Sequence, residues 1–223
     1  MQTLYDAQRS PIAKTVAASL YQPFGQGKKF LKNATTDTES QIQKSAIVDL
    51  TNLSRVGFRG LDAATYLSSL GFHSPDVPNC AVQQVDGSWV VRLSATEYFL
   101  LGSLNDFGER ISQLENGWAM DDRANYLLPR QDSHAWLQLT GNTAAWVMAK
   151  LCAVDLSSEV FAVGQVAQTS VARVNAIVIN VSDAQTQKFN ILCDRAAALY
   201  LWEVLQDAIA EFDGKVVGIE GLL

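Results

Sequence analysis

The sequence predicts an α+β protein made of two pseudo-repeated halves, each running strand, helix, three strands, helix, with antiparallel sheets. Three observations predict it. The stretch Val56–Leu70, VGFRGLDAATYLSSL, is echoed by Leu137–Leu151, LQLTGNTAAWVMAKL, where Gly60, Ala63, Ala64 and Leu70 meet Gly141, Ala144, Ala145 and Leu151 at one constant offset. Average residue usage would give about one such identity in a window of this length. In both copies an alternating apolar segment (Val56, Phe58; Leu137, Leu139) runs into a glycine, and a short polar residue then opens a helix whose large apolar groups match: Tyr66/Val147, Leu67/Met148, Leu70/Leu151. A period of two that switches to 3.6 across a glycine reads as strand, turn, helix. Finally, Leu101–Leu114 aligns with Leu192–Leu205 at a longer offset, because the second half has longer connections.

Composition bounds the rest. The chain of 223 residues is 48% hydrophobic and 18% charged, enough to bury a substantial core and too apolar for disorder. A net charge of −6 argues against nucleic-acid binding, which needs a basic footprint. No apolar run reaches the roughly 18–20 residues of a membrane span. The N-terminus, MQTLYDAQRSPIAKTVAASL, lacks the order of charges, apolar run and small-residue cleavage site of a secretory signal, so a cytoplasmic protein is expected. Cys80, Cys152 and Cys193 are far apart and in apolar company, and are read as free thiols in a reducing compartment.

In chain order, residues 1–45 read as an N-terminal arm. Ser10–Pro11 is a helix start, Ile12, Val16 and Leu20 form a stripe that ends at Pro23, Gly25 and Gly27, and Lys32–Ser45 is loop-like. Residues 46–115 form the first half. Strands are expected at Ala46–Leu50 and Arg55–Arg59, and a helix at Asp62–Leu70, closed by Gly71. Cys80–Val85 and Ser88–Leu93 read as a hairpin turned at Asp86–Gly87, both turn residues at positive φ. The strand Glu97–Gly102 and the helix Asn105–Leu114 complete the half. Residues 116–130 are a connector with the polar cluster Asp121, Asp122, Arg123. Residues 131–214 repeat the order: strand Ala135–Leu139, helix Thr143–Leu151, loop Ala153–Gly164, strands Val166–Arg173, Ala176–Val181 and Lys188–Cys193, and the helix Arg195–Phe212, capped by Asp194. Residues 215–223 are a C-terminal tail, and 46–214 are expected to form one compact domain.

Reactive groups are sparse. His73 lies in a proline-flanked loop and His134 just before a strand, and neither has a Ser, Cys or carboxylate at a spacing that marks a triad or metal site. Gly25–Gln26–Gly27–Lys28–Lys29 lacks the four-residue gap and Lys-Ser/Thr pair of a phosphate loop. Asp121–Asp122 could split their pKa values as a carboxylate pair, but Arg123 and the loop context favour a solvated connector. Of the five tryptophans, Trp89, Trp146 and Trp202 are read as core, and Trp118 as the one exposed at a contact.

Taken together, RSPIAK, the strand–Gly–x–x–Ala–Ala–helix units, RLSATEYFLLG, AVDLSSEVFAVGQVAQTSVAR and LYLWEVLQDAIAEF resemble the γ subunit of heterotetrameric sarcosine oxidase, in the same order over nearly the whole chain. The most specific pieces are RLSATEYFLLG, similar to that family's Arg-Leu-Gly-Pro-Asp-Glu-Trp-Leu-Leu-Leu pattern, and VAQTSVARVNAIV, similar to its Ala-Gln-Thr…Ala-Arg strand. The general fold is that of the aminomethyltransferase/TrmE folate-binding domain. The resemblance implies a structural or assembly role, without catalytic, cofactor-binding or metal residues of its own. Its complex demethylates sarcosine oxidatively to glycine, passes the one-carbon unit to tetrahydrofolate and forms peroxide. FAD, FMN, NAD, zinc and tetrahydrofolate are then expected on the partner α, β and δ subunits. Docking is expected near the strand that carries Gln168, Thr169 and Arg173. Two departures from aminomethyltransferases stand out: their second, C-terminal domain has no counterpart here, and Asp121–Asp122 does not match the context of their Asn-Asp-Asp stretch. The alternative reading is a stand-alone folate-binding one-carbon transferase, and a third is a module of RNA modification or cluster maintenance.

Overall fold

A computed structural model describes residues 10–16, 20–25, 28–32 and 37–223. After a 3-10 turn at Pro11–Lys14 come β1 (Tyr21–Phe24), β2 (Lys28–Leu31), α1 (Thr38–Lys44), β3 (Ala46–Asp49), β4 (Arg55–Arg59), α2 (Ala63–Ser69), β5 (Cys80–Gln83), β6 (Trp89–Arg92), β7 (Glu97–Leu101) and α3 (Glu109–Gly117). There follow β8 (Tyr126–Pro129), β9 (His134–Thr140), α4 (Ala144–Leu151), β10 (Val166–Val171), β11 (Val174–Asn180), β12 (Lys188–Asp194), α5 (Ala198–Ala210) and β13 (Lys215–Val216). The chain divides into two units: Leu53–Ser133 with Gly164–Val166, and Met1–Asn52 with His134–Val163 and Ala167–Leu223.

The smaller unit is a five-stranded sheet of order β5-β6-β7-β4-β8. Antiparallel register sets Val56 opposite Leu100, Phe58 opposite Tyr98 and Val90 opposite Leu100, so the alternating apolar residues share one face. Ala63 and Leu67 of α2 and Ile111 of α3 close over that face in one buried cluster. Each large side chain so buried contributes on the order of 1.5–3 kcal/mol before entropy is counted.

The larger unit carries a six-stranded sheet of order β10-β11-β12-β9-β3-β13 and the β1–β2 hairpin. Ala135, Leu137 and Leu139 of β9, Phe189, Ile191 and Cys193 of β12, and Ala176 and Val178 of β11 meet α4 (Ala144, Val147, Met148) and α5 (Ala198, Leu201, Trp202, Leu205) in its core. Ile12 is buried in the same cluster, so the segment around it is packed into this core. The Tyr21 hydroxyl donates to Asp49 Oδ2 at 2.8 Å and ties β1 to the body as well. The last residues also belong to this unit: β13 pairs in parallel with β3, and Val217 and Ile219 are fully buried.

The two sheets match strand for strand, β5-β6-β7-β4-β8 against β10-β11-β12-β9-β3. The match requires an exchange that the chain order hides. β3 immediately precedes β4 yet pairs with β9, and β8 immediately precedes β9 yet pairs with β4. Both repeat glycines stand where such a strand enters. Gly60 (φ 147°) faces the Ala124 carbonyl so closely that a Cβ would overlap it, and a Cβ on Gly141 (φ 114°) would lie 2.5 Å from the Lys44 carbonyl. The polar residues read as helix caps serve this junction and do not cap their helices. Asp62 donates its N–H to the Ala124 carbonyl at 3.0 Å and accepts the Ala124 N–H at 2.7 Å. Thr143 donates its hydroxyl to the Lys44 carbonyl at 3.2 Å.

Other differences from the sequence reading have local causes. Lys32–Ser45 holds the helix α1, whose Gln41 and Ile42 are buried but whose seven residues are too few for a periodic signal. Of the stripe expected from Ile12 to Leu20, Pro11–Lys14 form a 3-10 turn capped by Ser10, and residues 17–19 lie outside the described set. The connector contains β8, an edge strand that ends at Pro129, where a missing N–H is tolerated. α3 starts at Glu109 because Phe107 and Gly108 turn left-handed (φ 51° and 76°), while Asp106 accepts the N–H groups of Gly108 and Arg110. The strand expected over Val166–Arg173 ends at Val171, because Ala172 and Arg173 (φ 49° and 67°) form the turn to β11 without the usual Asn or Gly. At Asp86–Gly87 only the glycine has positive φ. Asp86 instead accepts from the Ser88 N–H at 3.0 Å, the Ser88 hydroxyl at 2.6 Å and Arg110 Nη1 at 2.8 Å.

Two predictions follow from these contacts. Gly60→Ala and Gly141→Ala should each lower stability by more than about 2 kcal/mol, since both the backbone conformation and the junction reject a Cβ. Gly71→Ala, at φ 77° with nothing within 4 Å, should cost only about 1 kcal/mol. Urea midpoints of the three variants check the ranking. The second concerns acid. Burial raises the Asp86 pKa, but hydrogen bonds from Arg110 and Ser88 outweigh it and the net shift is downward. A carboxyl depressed in the folded state adds stability above its unfolded value, near 4, and loses it as pH falls through the folded value. Asp86→Asn should therefore melt with a shallower fall in Tm between pH 6 and pH 3 than the parent chain.

Candidate functional site

In the larger unit a cleft of about 350 Å³ opens over β9 to β12, lined by His134, Gln168, Thr169, Asn175, Ala176, Ile177 and Leu192. Its shape follows from register. Ile177 lies opposite Leu192, and Leu192 opposite Trp136, so these three share the sheet face turned away from α4 and α5. Trp136 is 2% exposed, and its indole Nε1 has no hydrogen-bond partner. Two positions further along β9, Gln138 Nε2 donates to Asn190 Oδ1 at 2.9 Å on the same buried face.

The structure thus gathers Gln168, Thr169 and His134 and leaves Arg173 apart, exposed at the tip of the β10–β11 turn. Thr169 is partly engaged by the fold, with the Cys152 thiol 3.9 Å from its hydroxyl oxygen. The turn itself is braced by the Tyr200 hydroxyl, which donates to the Ala172 carbonyl at 3.1 Å. Left-handed conformations cost a non-glycine residue roughly 1–2 kcal/mol, so this exposed pair is held in place by its surroundings.

The remaining flagged groups are structural or solvated. His73 is exposed, and its backbone clasps the Gln84 amide through bonds of 2.8 and 2.9 Å. Asp121 takes two bonds from Arg123, at 2.8 and 2.6 Å, and the hydrogen bond from that guanidinium holds its pKa low. Arg123 also lies over the Tyr66 ring at 5.2 Å. Asp121 is thus a surface carboxylate paired with Arg123. Gly25 (φ 63°) turns between β1 and β2, so Lys28 and Lys29 enter a strand where a phosphate loop would enter a helix; residues 26–27 lie outside the described set. None of the three cysteines is in a disulfide, and Cys152 and Cys193 are buried. Among the described residues no group of His, Cys, Asp or Glu is placed to hold a metal ion, and no helix is long and apolar enough to cross a membrane.

Two features escaped the sequence reading. On the five-stranded sheet Glu97 accepts Arg130 Nη2 at 2.6 Å and faces Arg59 Nε at 3.8 Å. Gly57 makes room for this cluster, since a Cβ there would sit 2.8 Å from Arg130 Nε. A glycine inside a strand was the available signal. The second is Trp146, which is 71% exposed on α4, whereas Trp118 is half-buried against the core of its unit. The core stripe of α4 is Ala144, Val147, Met148 and Leu151, and Trp146 falls off it, so the period alone excluded it from the core.

The family model of the GCVT N-terminal domain matches residues 5–222. No curated protein matches the sequence. Among solved structures, a chain of heterotetrameric sarcosine oxidase from Corynebacterium sp. U-96, in complex with pyrrole 2-carboxylate, superposes with a TM-score of 0.65 at 21% identity, over 92% of this chain and 96% of that one. Glycine cleavage system aminomethyltransferase T from Bartonella henselae superposes with a TM-score of 0.64 at 14% identity, over 96% of this chain and 60% of its own. At these identities the superpositions establish the fold, and they agree with the antiparallel α+β sheets described above. Since the family match runs through nearly the whole sequence, the chain belongs to the GCVT N-terminal domain family.

Proposed function

We propose that this chain is a γ-type subunit of a sarcosine-oxidase-type complex, with a structural role in assembly and no catalytic residues of its own. The observation that carries the reading is the two-way coverage of the superposition. The matched sarcosine oxidase chain is covered over 96% of its length and covers 92% of this one, whereas the aminomethyltransferase extends well beyond the shared domain. The two-unit body here therefore corresponds to a whole chain of a multi-subunit enzyme and to only part of a transferase. In this reading FAD, FMN, NAD, zinc and tetrahydrofolate sit on the α, β and δ subunits, which carry out the oxidative demethylation of sarcosine. Gln168 and Thr169 at the cleft, with Arg173 at the braced turn beside it, form a polar docking edge on the larger unit. An arginine held at a fixed turn suits that role, because its planar fork makes several bonds at once.

Co-expression tests the proposal. The tagged chain, produced with flavoprotein α-, β- and δ-type subunits of a sarcosine oxidase, is expected to co-purify with flavin absorbance and sarcosine-dependent peroxide formation, and omitting it should prevent assembly. A chain that stays alone in that lysate would overturn the proposal. Titration calorimetry of the isolated chain with a tetrahydrofolate analogue is expected to give no heat at high micromolar ligand; saturable heat would favour the stand-alone transferase instead.

A further inference from the structure

A second concavity, of about 490 Å³, lies in the larger unit between α4, the loop that follows it and the end of α5. Its construction differs from that of the polar cleft. Ala145 and Ala149, one helical turn apart, leave a shallow channel on the outer side of α4, and Trp146 rises beside it. Leu156 and Phe212 are in the opposite lining, both packed into the core, so that floor is fixed. Val154, more than a third exposed, adds to the apolar rim. The charges are confined to the edge. Lys150 pairs with Glu211 and lies 5.7 Å from the Phe212 ring centre, so its charge is already matched. Among the described residues Asp155 forms no ion pair: it accepts the Ser157 N–H at 2.9 Å, and that bond keeps its carboxyl below the usual range and ionised. The groove is therefore an apolar slot roomy enough for a bulky side chain and its neighbours, with an uncompensated negative edge and an exposed tryptophan.

We infer that this groove receives a bulky apolar side chain, flanked by lysine or arginine, from a segment of another subunit. Exposed tryptophan beside a preformed apolar pocket is the composition that dominates interface energetics, and a rim carboxylate selects a basic neighbour. The negative edge and the acidic chain as a whole disfavour a second copy of this chain as the occupant. The inference rests on the assembly role proposed above, but it concerns a face distinct from the Gln168–Arg173 edge.

The test uses the co-expressed complex. Trp146→Ala should weaken association about thirtyfold, the scale of a lost aromatic anchor. Ala149→Lys should do so at least as strongly, because it fills the channel and repels a basic partner. Asp155→Asn should weaken it several-fold at low salt and little at 0.5 M NaCl. All three positions lie on the surface, so unchanged urea midpoints of the isolated variants would separate lost docking from lost folding. A photo-reactive benzoylphenylalanine at position 146 then identifies the occupant by mass spectrometry. Crosslinking to a basic-flanked apolar segment of a partner subunit bears the inference out. A complex that assembles with parental affinity in Trp146→Ala and Ala149→Lys, or a crosslink to a second copy of this chain, overturns the inference and leaves the assembly role standing. Failure of the parent chain to assemble at all overturns both.

Discussion

The fold depends on a backbone contact that appears twice. Where β8 and β3 enter their sheets, the carbonyl two residues before the strand presses against a glycine, Gly60 in one unit and Gly141 in the other, and the neighbouring Asp62 or Thr143 bonds the same carbonyl. Two constraints meet at each point: a left-handed backbone that only glycine adopts cheaply, and a separation too small for any side chain. The contact fixes where the entering strand begins, and hence its register. Because side chains alternate along a strand, a slip of one residue would turn every core residue of β3 or β8 to the wrong face.

This constraint explains why one half cannot be completed from its own stretch of sequence. The chain runs directly from β3 to β4 and from β8 to β9, yet each leading strand closes the sheet of the following repeat's counterpart. A strand so placed covers the unpaired backbone groups of β9 or β4, which would otherwise be open to adventitious pairing. The exchange also accounts for the weak sequence echo between the halves. Beyond the glycine junction only burial has to be kept, and burial accepts Tyr66 for Val147 or Leu67 for Met148 so long as the volume fits.

Much of the architecture was legible because it rests on periodicity. β4 and α4 fall where alternation and the helical stripe put them, and Asp194 does accept the Ala196 N–H at 2.7 Å. What stayed hidden rests on contacts distant in sequence. β8 has neither alternation nor length, and its existence is decided by pairing with β4. The Ala172–Arg173 turn carries no glycine or asparagine, and its conformation is imposed by the hairpin and by the Tyr200 bond. The site was legible to the same degree. Gln168 and Thr169 came from a strand motif and do meet at a cleft, while His134 and Asn175 join them only through register. The outward position of Trp146 could have been read from its place off the α4 stripe, but a tryptophan in an apolar helix invites the opposite assignment.

The chemistry of the two concavities in the larger unit bears on what kind of surface this unit offers. On the sheet face that carries the cleft, Gln138 already holds Asn190, and Thr169 of the lining meets Cys152. Breaking such buried bonds to admit a ligand would leave unpaired groups that cost about 1–3 kcal/mol each, so a ligand there must replace every bond it displaces. The groove on α4 imposes no such condition. Its lining is mostly apolar, its one cation is paired, and the residue most exposed there, Trp146, has nothing polar to lose but its indole N–H. Apolar area removed from water at that point is gained without a competing desolvation penalty, which is the circumstance in which a single inserted side chain contributes most.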